Sequence, residues 1–121
     1  MKKIFKTAFI IFCNSDNQLL LQERWYYSKL WEKWAFFWWW LESWENHKEA
    51  FYREAKEELN IDMNNFDYQY IGEQVSELEN RIMYRYLYII NTNLSEWDFN
   101  VYEWVGAKFF DIEDIYDLKF I

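Results

Sequence analysis

Arg53-Glu54-Ala55-Lys56-Glu57-Glu58 packs three carboxylates and a guanidinium into six residues. The segment reads as helix. Glu54 lies three residues from Glu57 and four from Glu58, so at 3.6 residues per turn all three acids share one face. Like charges so placed repel by a few tenths of a kcal/mol per pair, and such a face calls for a compensating cation. Hard oxygen ligands select Mg2+, Mn2+ or Ca2+. A solvated acidic face with Arg53 and Lys56 as neighbours is the plain alternative.

Upstream, Glu45 precedes Arg53 with seven residues between them. Ahead of it runs Trp34-Ala35-Phe36-Phe37-Trp38-Trp39-Trp40-Leu41-Glu42-Ser43-Trp44. Here the chain resembles the Nudix hydrolase family. The family signature is Gly, five residues, Glu, seven residues, Arg-Glu, an aliphatic residue, any residue, Glu-Glu, any residue, Gly, aliphatic. Glu45, Arg53, Glu54, Glu57, Glu58 and Ile61 fall in register with it. Ala55 stands for the larger aliphatic, Trp39 for the first Gly and Asn60 for the second.

Many relatives carry Trp-x-Phe-Phe-Gly-Gly-Gly-Ile-Glu-x-Gly-Glu before the helix. This chain matches that loop if Trp38, Trp39, Trp40 and Trp44 stand for glycines. Composition points the same way. Soluble proteins average about 7% Gly, or roughly 8 in a chain of this length, yet this one has 2 Gly and 9 Trp. UGA is read as Trp in some bacterial codes and as Gly in others. The expectation is therefore a gene from a lineage reading UGA as Gly. Trp25, Trp31, Trp97 and Trp104 sit in turn-like contexts and fit the same reading, while Trp34 suits the family's own Trp. An authentic aromatic patch for ligand or membrane contact is the alternative. The core is expected not to depend on the side chains at 38, 39, 40 and 44. A position among them that needs positive φ would be strained by a Trp.

At 121 residues the chain is expected to be one domain, residues 1–121, with one sizeable core. A net charge of −8 disfavours a nucleic acid polymer as partner. It leaves room for a nucleotide held through metal ions. The lone Cys13 excludes an internal disulfide framework. The apolar stretch after Met1-Lys2-Lys3 is broken by Lys6 and Asn14, too soon for a secretory segment or membrane span. A cytoplasmic location is the expectation, with no membrane partner and a monomer or homodimer.

Ile4–Cys13 reads as a buried strand, Asn14–Asn17 as a turn, and Gln18–Glu23 as the return strand of a hairpin. Residues 25–45 read as a long loop with short extended pieces. A helix is expected from His47 to Leu59, with Asn46 and Glu49 forming a capping box and Asn60 taking the left-handed C-terminal position. Phe51, Ala55 and Leu59 form its apolar stripe. Further strands are expected over Phe66–Gln74, Arg81–Ile90 and Lys108–Ile112, with a last helix over Ile112–Leu118 capped by Asp111. This order fits the Nudix-type α/β/α sandwich with a mixed sheet that the resemblance implies.

The resemblance also implies the chemistry. Nudix enzymes hydrolyse a nucleoside diphosphate linked to another moiety. Water attacks one phosphorus of the pyrophosphate, and divalent ions, here Mg2+ or Mn2+, neutralise phosphate charge and acidify the water. Glu54, Glu57 and Glu58 are the implied metal ligands, joined by the backbone carbonyl of residue 39. Glu54 is the first choice for orienting or deprotonating the water, although relatives differ in which carboxylate does this. Arg53 is grouped with Glu54 and Glu57 at the catalytic centre, where it braces the site by pairing with Glu45. Glu103, in a segment similar to the Glu-Gly-x-Gly loop of mutator-type oxidised-nucleotide hydrolases, is the candidate fourth metal carboxylate. Glu77, Glu79 and Glu96 are its rivals. Arg24 is the candidate for substrate phosphate. His47, the only histidine, is expected to be exposed and without a catalytic role. A catalytically inactive nucleotide-binding or interaction module is the alternative if the loop tryptophans are authentic.

Overall fold

The computed structural model describes residues 2–23, 34–93 and 106–115. Among these, seven strands form one mixed sheet. β1 (Lys3–Cys13) is its spine. Its alternation puts Ala8, Ile10 and Phe12 on the buried face, as a period of two requires. Along one edge β1 runs parallel to β6 (Arg81–Asn91), in register from Lys3↔Arg81 to Cys13↔Asn91. β5 (Asp67–Glu77) then pairs antiparallel with β6.

The other edge of β1 is shared. β2 (Leu19–Glu23) returns through the expected turn, in which Asn14 Oδ1 accepts the N–H groups of Asp16 and Gln18 at 3.0 and 2.9 Å. The hairpin is shorter than the sequence suggested. β2 meets β1 at Cys13↔Leu19 and then leaves it to pair with β7 (Gly106–Phe110) and β3 (Trp34–Ala35). The vacated edge is taken by β4 (Phe37–Trp40), antiparallel to Thr7–Ile10. Gln22 Nε2 donates to the Phe36 carbonyl at 3.1 Å and ties β2 to the β3–β4 junction.

Helix α1 (His47–Leu59) has the boundaries expected of it. Asn46 Oδ1 accepts the Glu49 N–H at 2.8 Å, and Glu49 Oε1 accepts the Asn46 N–H at 2.9 Å. Both answer donors that a helix start leaves unpaired. At the far end Asn60 adopts φ 56°. Its N–H reaches the Lys56 carbonyl, and the next N–H, of Ile61, reaches the Ala55 carbonyl. Asn tolerates this left-handed conformation better than other side chains do, which explains how it replaces Gly there. Phe51, Ala55 and Leu59 are fully buried against Ala8, Ile10, Phe12, Tyr88 and Ile90, with Met63 and Ile61 closing one end. Burying such side chains contributes about 1.5–3 kcal/mol each for the larger ones. The result is the expected α/β fold with a mixed sheet.

Some boundaries differ from expectation. A 3-10 turn at Met63–Asn65, started by Asp62, precedes β5. β5 and β6 run longer than their apolar patterns, because the far half of their hairpin is exposed on β5 and carries polar residues. A register shift between Tyr70 and Gly72 bends β5, and Gly72 takes φ 145° there, open to Gly and rarely to other residues. The last strand ends at Phe110, before Ile112. The helix that follows, α2, is described over Ile112–Ile115, and the expected continuation to Leu118 lies outside the described residues. Asp111, expected as its cap, accepts Gln18 Nε2 on Oδ1 at 3.1 Å.

The tryptophan segment corrects one expectation. Trp39 belongs to the core cluster at 6% exposure, beside Phe37 at a centroid distance of 6.3 Å. The core of this chain therefore does depend on one of the four side chains. The period of two sends Phe37 and Trp39 inward, while Trp40 remains 47% and Trp44 70% exposed. The described non-glycine residues with positive φ are Asn17 and Asn60. The strain anticipated for a Trp at positions 38, 39, 40 or 44 does not arise in this backbone. Trp25, Trp31, Trp97 and Trp104 lie outside the described residues.

These differences give the four indoles separable effects. Trp39→Gly empties a core position and is expected to cost about 3–5 kcal/mol in urea unfolding, the range for deleting a buried Trp. The double variant Trp40→Gly/Trp44→Gly should change stability by less than about 1 kcal/mol while reducing self-association, since exposed apolar patches promote it. Sedimentation velocity beside the urea curves reads both.

Candidate functional site

The site is organised by one guanidinium. Arg53, in the middle of α1, points back toward the loop that enters the helix. Its Nη2 donates to Glu45 Oε1 at 2.6 Å and its Nε to Glu45 Oε2 at 3.0 Å, a two-point fork. The third nitrogen, Nη1, donates to Glu54 Oε1 at 2.7 Å and to Glu57 Oε2 at 3.1 Å. A single cation thus bridges three carboxylates from two segments.

Glu45 is the buried member, with a side-chain exposure of 0%. Besides the fork, its Oε1 accepts the Glu42 N–H at 2.8 Å. The Arg53 hydrogen bonds hold its carboxyl below the usual carboxylate range and outweigh the opposing effect of burial. Glu54 behaves in the opposite sense. Burial pushes its carboxyl above the ordinary value, against the pull of Arg53, with Glu57 and Glu45 adding repulsion. Neighbouring acids thus differ in basicity, because one is fully paired and the other is partly desolvated.

Glu57 is exposed, with its side chain 57% accessible. Glu58 is half-buried on the same helix. Among the described residues no three acidic, histidine or cysteine side chains converge closely enough to form a ready metal nest. Glu54 and Glu57 do converge, on Arg53 Nη1. Trp39 sits in β4 opposite Ala8. Arg24, Glu103 and Glu96 lie outside the described residues. Of the other rivals, Glu77 is bound to Lys2 Nζ at 2.7 Å and Glu79 is exposed.

His47 departs from expectation. It is half-buried, stacked on Tyr86 at 4.3 Å between centroids and on Tyr70 at 4.8 Å. Its Nδ1 lies 2.6 Å from the Tyr88 hydroxyl. Its neighbours on β5 and β6 are distant in sequence, so spacing carried no sign of this cluster. The one local signal was its place directly after the N-cap.

Removing the charge of Arg53 should expose how much rests on the fork. Arg53→Met is expected to destabilise the chain by about 3 kcal/mol at pH 7, since a buried carboxylate loses its partner. The penalty should be smaller in Glu45→Gln/Arg53→Met, where no buried charge remains. Because the Glu45 carboxyl is depressed in the folded state, its stabilisation is present above the unfolded value and lost as pH falls through the folded one. Urea unfolding of wild type and Glu45→Gln from pH 7 to pH 3 checks the sign: the wild type should lose its advantage on acidification.

Comparison with known proteins bears on this geometry. The family model described as NUDIX domain matches residues 3–120. A search of curated proteins returns no match. Among solved structures, a Deinococcus radiodurans protein superposes with a TM-score of 0.76 at 21% identity, covering 92% of this chain and 69% of that one. The Escherichia coli dihydroneopterin triphosphate pyrophosphohydrolase has a TM-score of 0.76 at 15% identity, covering 94% and 85%. A MutT protein from Methanosarcina mazei has a TM-score of 0.73 at 19% identity, covering 98% and 84%. These likenesses concern the fold. The family match spans nearly the whole sequence, and the loop before α1 and the helix itself meet in the Glu45–Arg53 ion pair: the chain belongs to the NUDIX domain family.

Proposed function

We propose that this chain hydrolyses the pyrophosphate of a nucleoside diphosphate linked to another moiety, using Mg2+ or Mn2+ held by Glu54, Glu57 and Glu58. The observation that carries this reading is the convergence of Glu54 Oε1 and Glu57 Oε2 on one cationic nitrogen, at 2.7 and 3.1 Å. Two carboxylates that already share a positive charge, in an oxygen-only donor set, suit a hard divalent ion. Glu58 on the same helix supplies a third carboxylate, and the Trp39 carbonyl and Glu103 are the further candidates. The family generally uses divalent cations, and one neighbour by fold is a triphosphate pyrophosphohydrolase.

When bound, the ion supplies neutralisation of phosphate charge and a more acidic water. The chain's own residues do the rest. Glu54, partly desolvated and the more basic acid, orients the attacking water and takes its proton. Arg53 keeps the Glu45 fork while its Nη1 gives up Glu54 and Glu57, so the loop before α1 stays in place. Arg24 is the candidate contact for a substrate phosphate. The partner in this reading is a small nucleotide rather than a polymer, acted on in the cytoplasm by a monomer or homodimer. No described helix is long and apolar enough to cross a membrane.

A second reading is an inactive nucleotide-binding or interaction module. The observation favouring it is Trp39, whose ring is accommodated in the core without positive φ. A chain that folds with its tryptophans in place could have exchanged catalysis for binding.

The test is release of monophosphate from a panel of nucleoside triphosphates and nucleotide conjugates, with Mg2+ or Mn2+ and with EDTA. Turnover is expected only with the ion. Glu57→Gln should lower kcat/KM about 100-fold or more, roughly 3 kcal/mol of transition-state stabilisation. Its metal-free stability should change little, because an exposed ion pair of about 0–1 kcal/mol is lost as one like-charge repulsion is relieved. Turnover indifferent to EDTA would remove the metal-dependent reading. Metal-dependent nucleotide binding without turnover would select the second.

A further inference from the structure

The carboxylate helix is fastened to the sheet at its first turn by a group outside the acidic face. His47 is the first residue of α1. Its ring is stacked between Tyr70 of β5 and Tyr86 of β6, at interplanar angles of 20° and 10°. Its Nδ1 meets the hydroxyl of Tyr88, a residue only 2% exposed. Tyr88 is in turn packed by Phe51 of α1 at 4.5 Å between centroids. The first turn of the helix and the middle of β6 are thus joined by one hydrogen bond and a continuous aromatic stack.

We propose that neutral His47 is a proton-sensitive fastener of α1, a positioning residue whose Nδ1 accepts the Tyr88 hydroxyl and whose protonation loosens the first helical turn. A neutral imidazole has one acceptor nitrogen, and a phenol has one donor hydrogen. With Nδ1 accepting, the buried Tyr88 hydroxyl is satisfied and Nε2 carries the ring proton. Protonation makes both ring nitrogens donors. The Tyr88 hydrogen then loses its acceptor inside the aromatic packing, which is costly for a buried polar group.

The charges around the ring are of both signs. Glu73 of β5 favours the imidazolium, and the faces of Tyr70 and Tyr86 also attract a cation. The positive end of the helix opposes it, while on α1 Lys48 Nζ lies over the Tyr52 ring and Glu49 is engaged in the capping box. Burial opposes it more than Glu73 favours it, so His47 titrates below its ordinary range. The Tyr88 phenol, its own ionisation pushed up by burial, remains protonated throughout. The sign follows: the fastener holds above the ordinary histidine value and releases as pH falls through the lowered one.

The fastener stands independently of the proposed activity; only its effect on the placement of Glu54 and Glu57 rests on that reading. The experiment therefore uses the metal-free full chain without substrate. Nitrogen NMR of the His47 ring gives its tautomer and titration. Backbone hydrogen exchange, corrected for intrinsic rates, gives protection of the Glu49 and Ala50 amides, which bond Asn46. The expected result is a proton on Nε2 at neutral pH. Protection at Glu49 and Ala50 should fall tenfold or more as His47 titrates. Tyr88→Phe keeps the stack and removes the hydroxyl, so the fall should shrink to less than threefold. His47→Gln should abolish it. A neutral ring protonated on Nδ1, protection unchanged through the wild-type titration, or a full tenfold fall in Tyr88→Phe would each overturn the proposal.

Discussion

A buried carboxylate must be answered by a cation, and here Glu45 is answered by Arg53. The two are eight residues apart and belong to different local structures, a tight turn and the middle of a helix. Their fork fixes the angle at which the chain enters α1. Without it, the acidic face would still exist on a helix packed against the sheet, but the loop that enters the helix would lose its tie to that face. The same guanidinium reaches Glu54 and Glu57, so the group that braces the loop also holds the acidic face together. Its third nitrogen can give up those two acids without surrendering the first, because the fork to Glu45 uses different nitrogens.

The sheet supplies the other half of the placement. β1 accepts β6 along one whole edge and divides the opposite edge between β2 and β4. The early departure of β2 opens the space into which β4 pairs, and that pairing places residues 37–40 beside the helix that carries the acids. α1 then lies over β1 and β6 through Phe51, Ala55 and Leu59. The aromatic cluster of His47, Tyr70, Tyr86 and Tyr88 anchors the end of the helix nearest Glu45. Helix direction is therefore controlled twice, by an ion pair through Arg53 and by aromatic packing at His47.

The tryptophan strand shows how packing can absorb a departure from a family pattern. An extended backbone with alternating faces asks nothing special of φ, so a large side chain is decided by where it points. Trp39 points into the core and is covered; Trp44 points to water and is not. Glycine in a relative's loop reflects the need for close backbone approach. That need concerns what binds there, whereas in this chain the core has come to include the Trp39 ring.

Local rules read the helix correctly from the sequence alone. Asn46, Glu49 and Asn60 act through bonds within three or four residues, and Phe51, Ala55 and Leu59 repeat with the helical period, so its boundaries and buried stripe were legible. The pairing of Glu45 with Arg53 was anticipated as what the Nudix resemblance implies, and the fork between them bears it out. Edge sharing on β1, the parallel match of β1 with β6 and the inward turn of Trp39 were decided only by tertiary structure. Strands form their bonds with partners far along the chain, and no local pattern names the partner. His47 belongs to the same class. Its two stacking rings and its hydroxyl partner come from β5 and β6, and only the folded sheet brings them to the first turn of the helix.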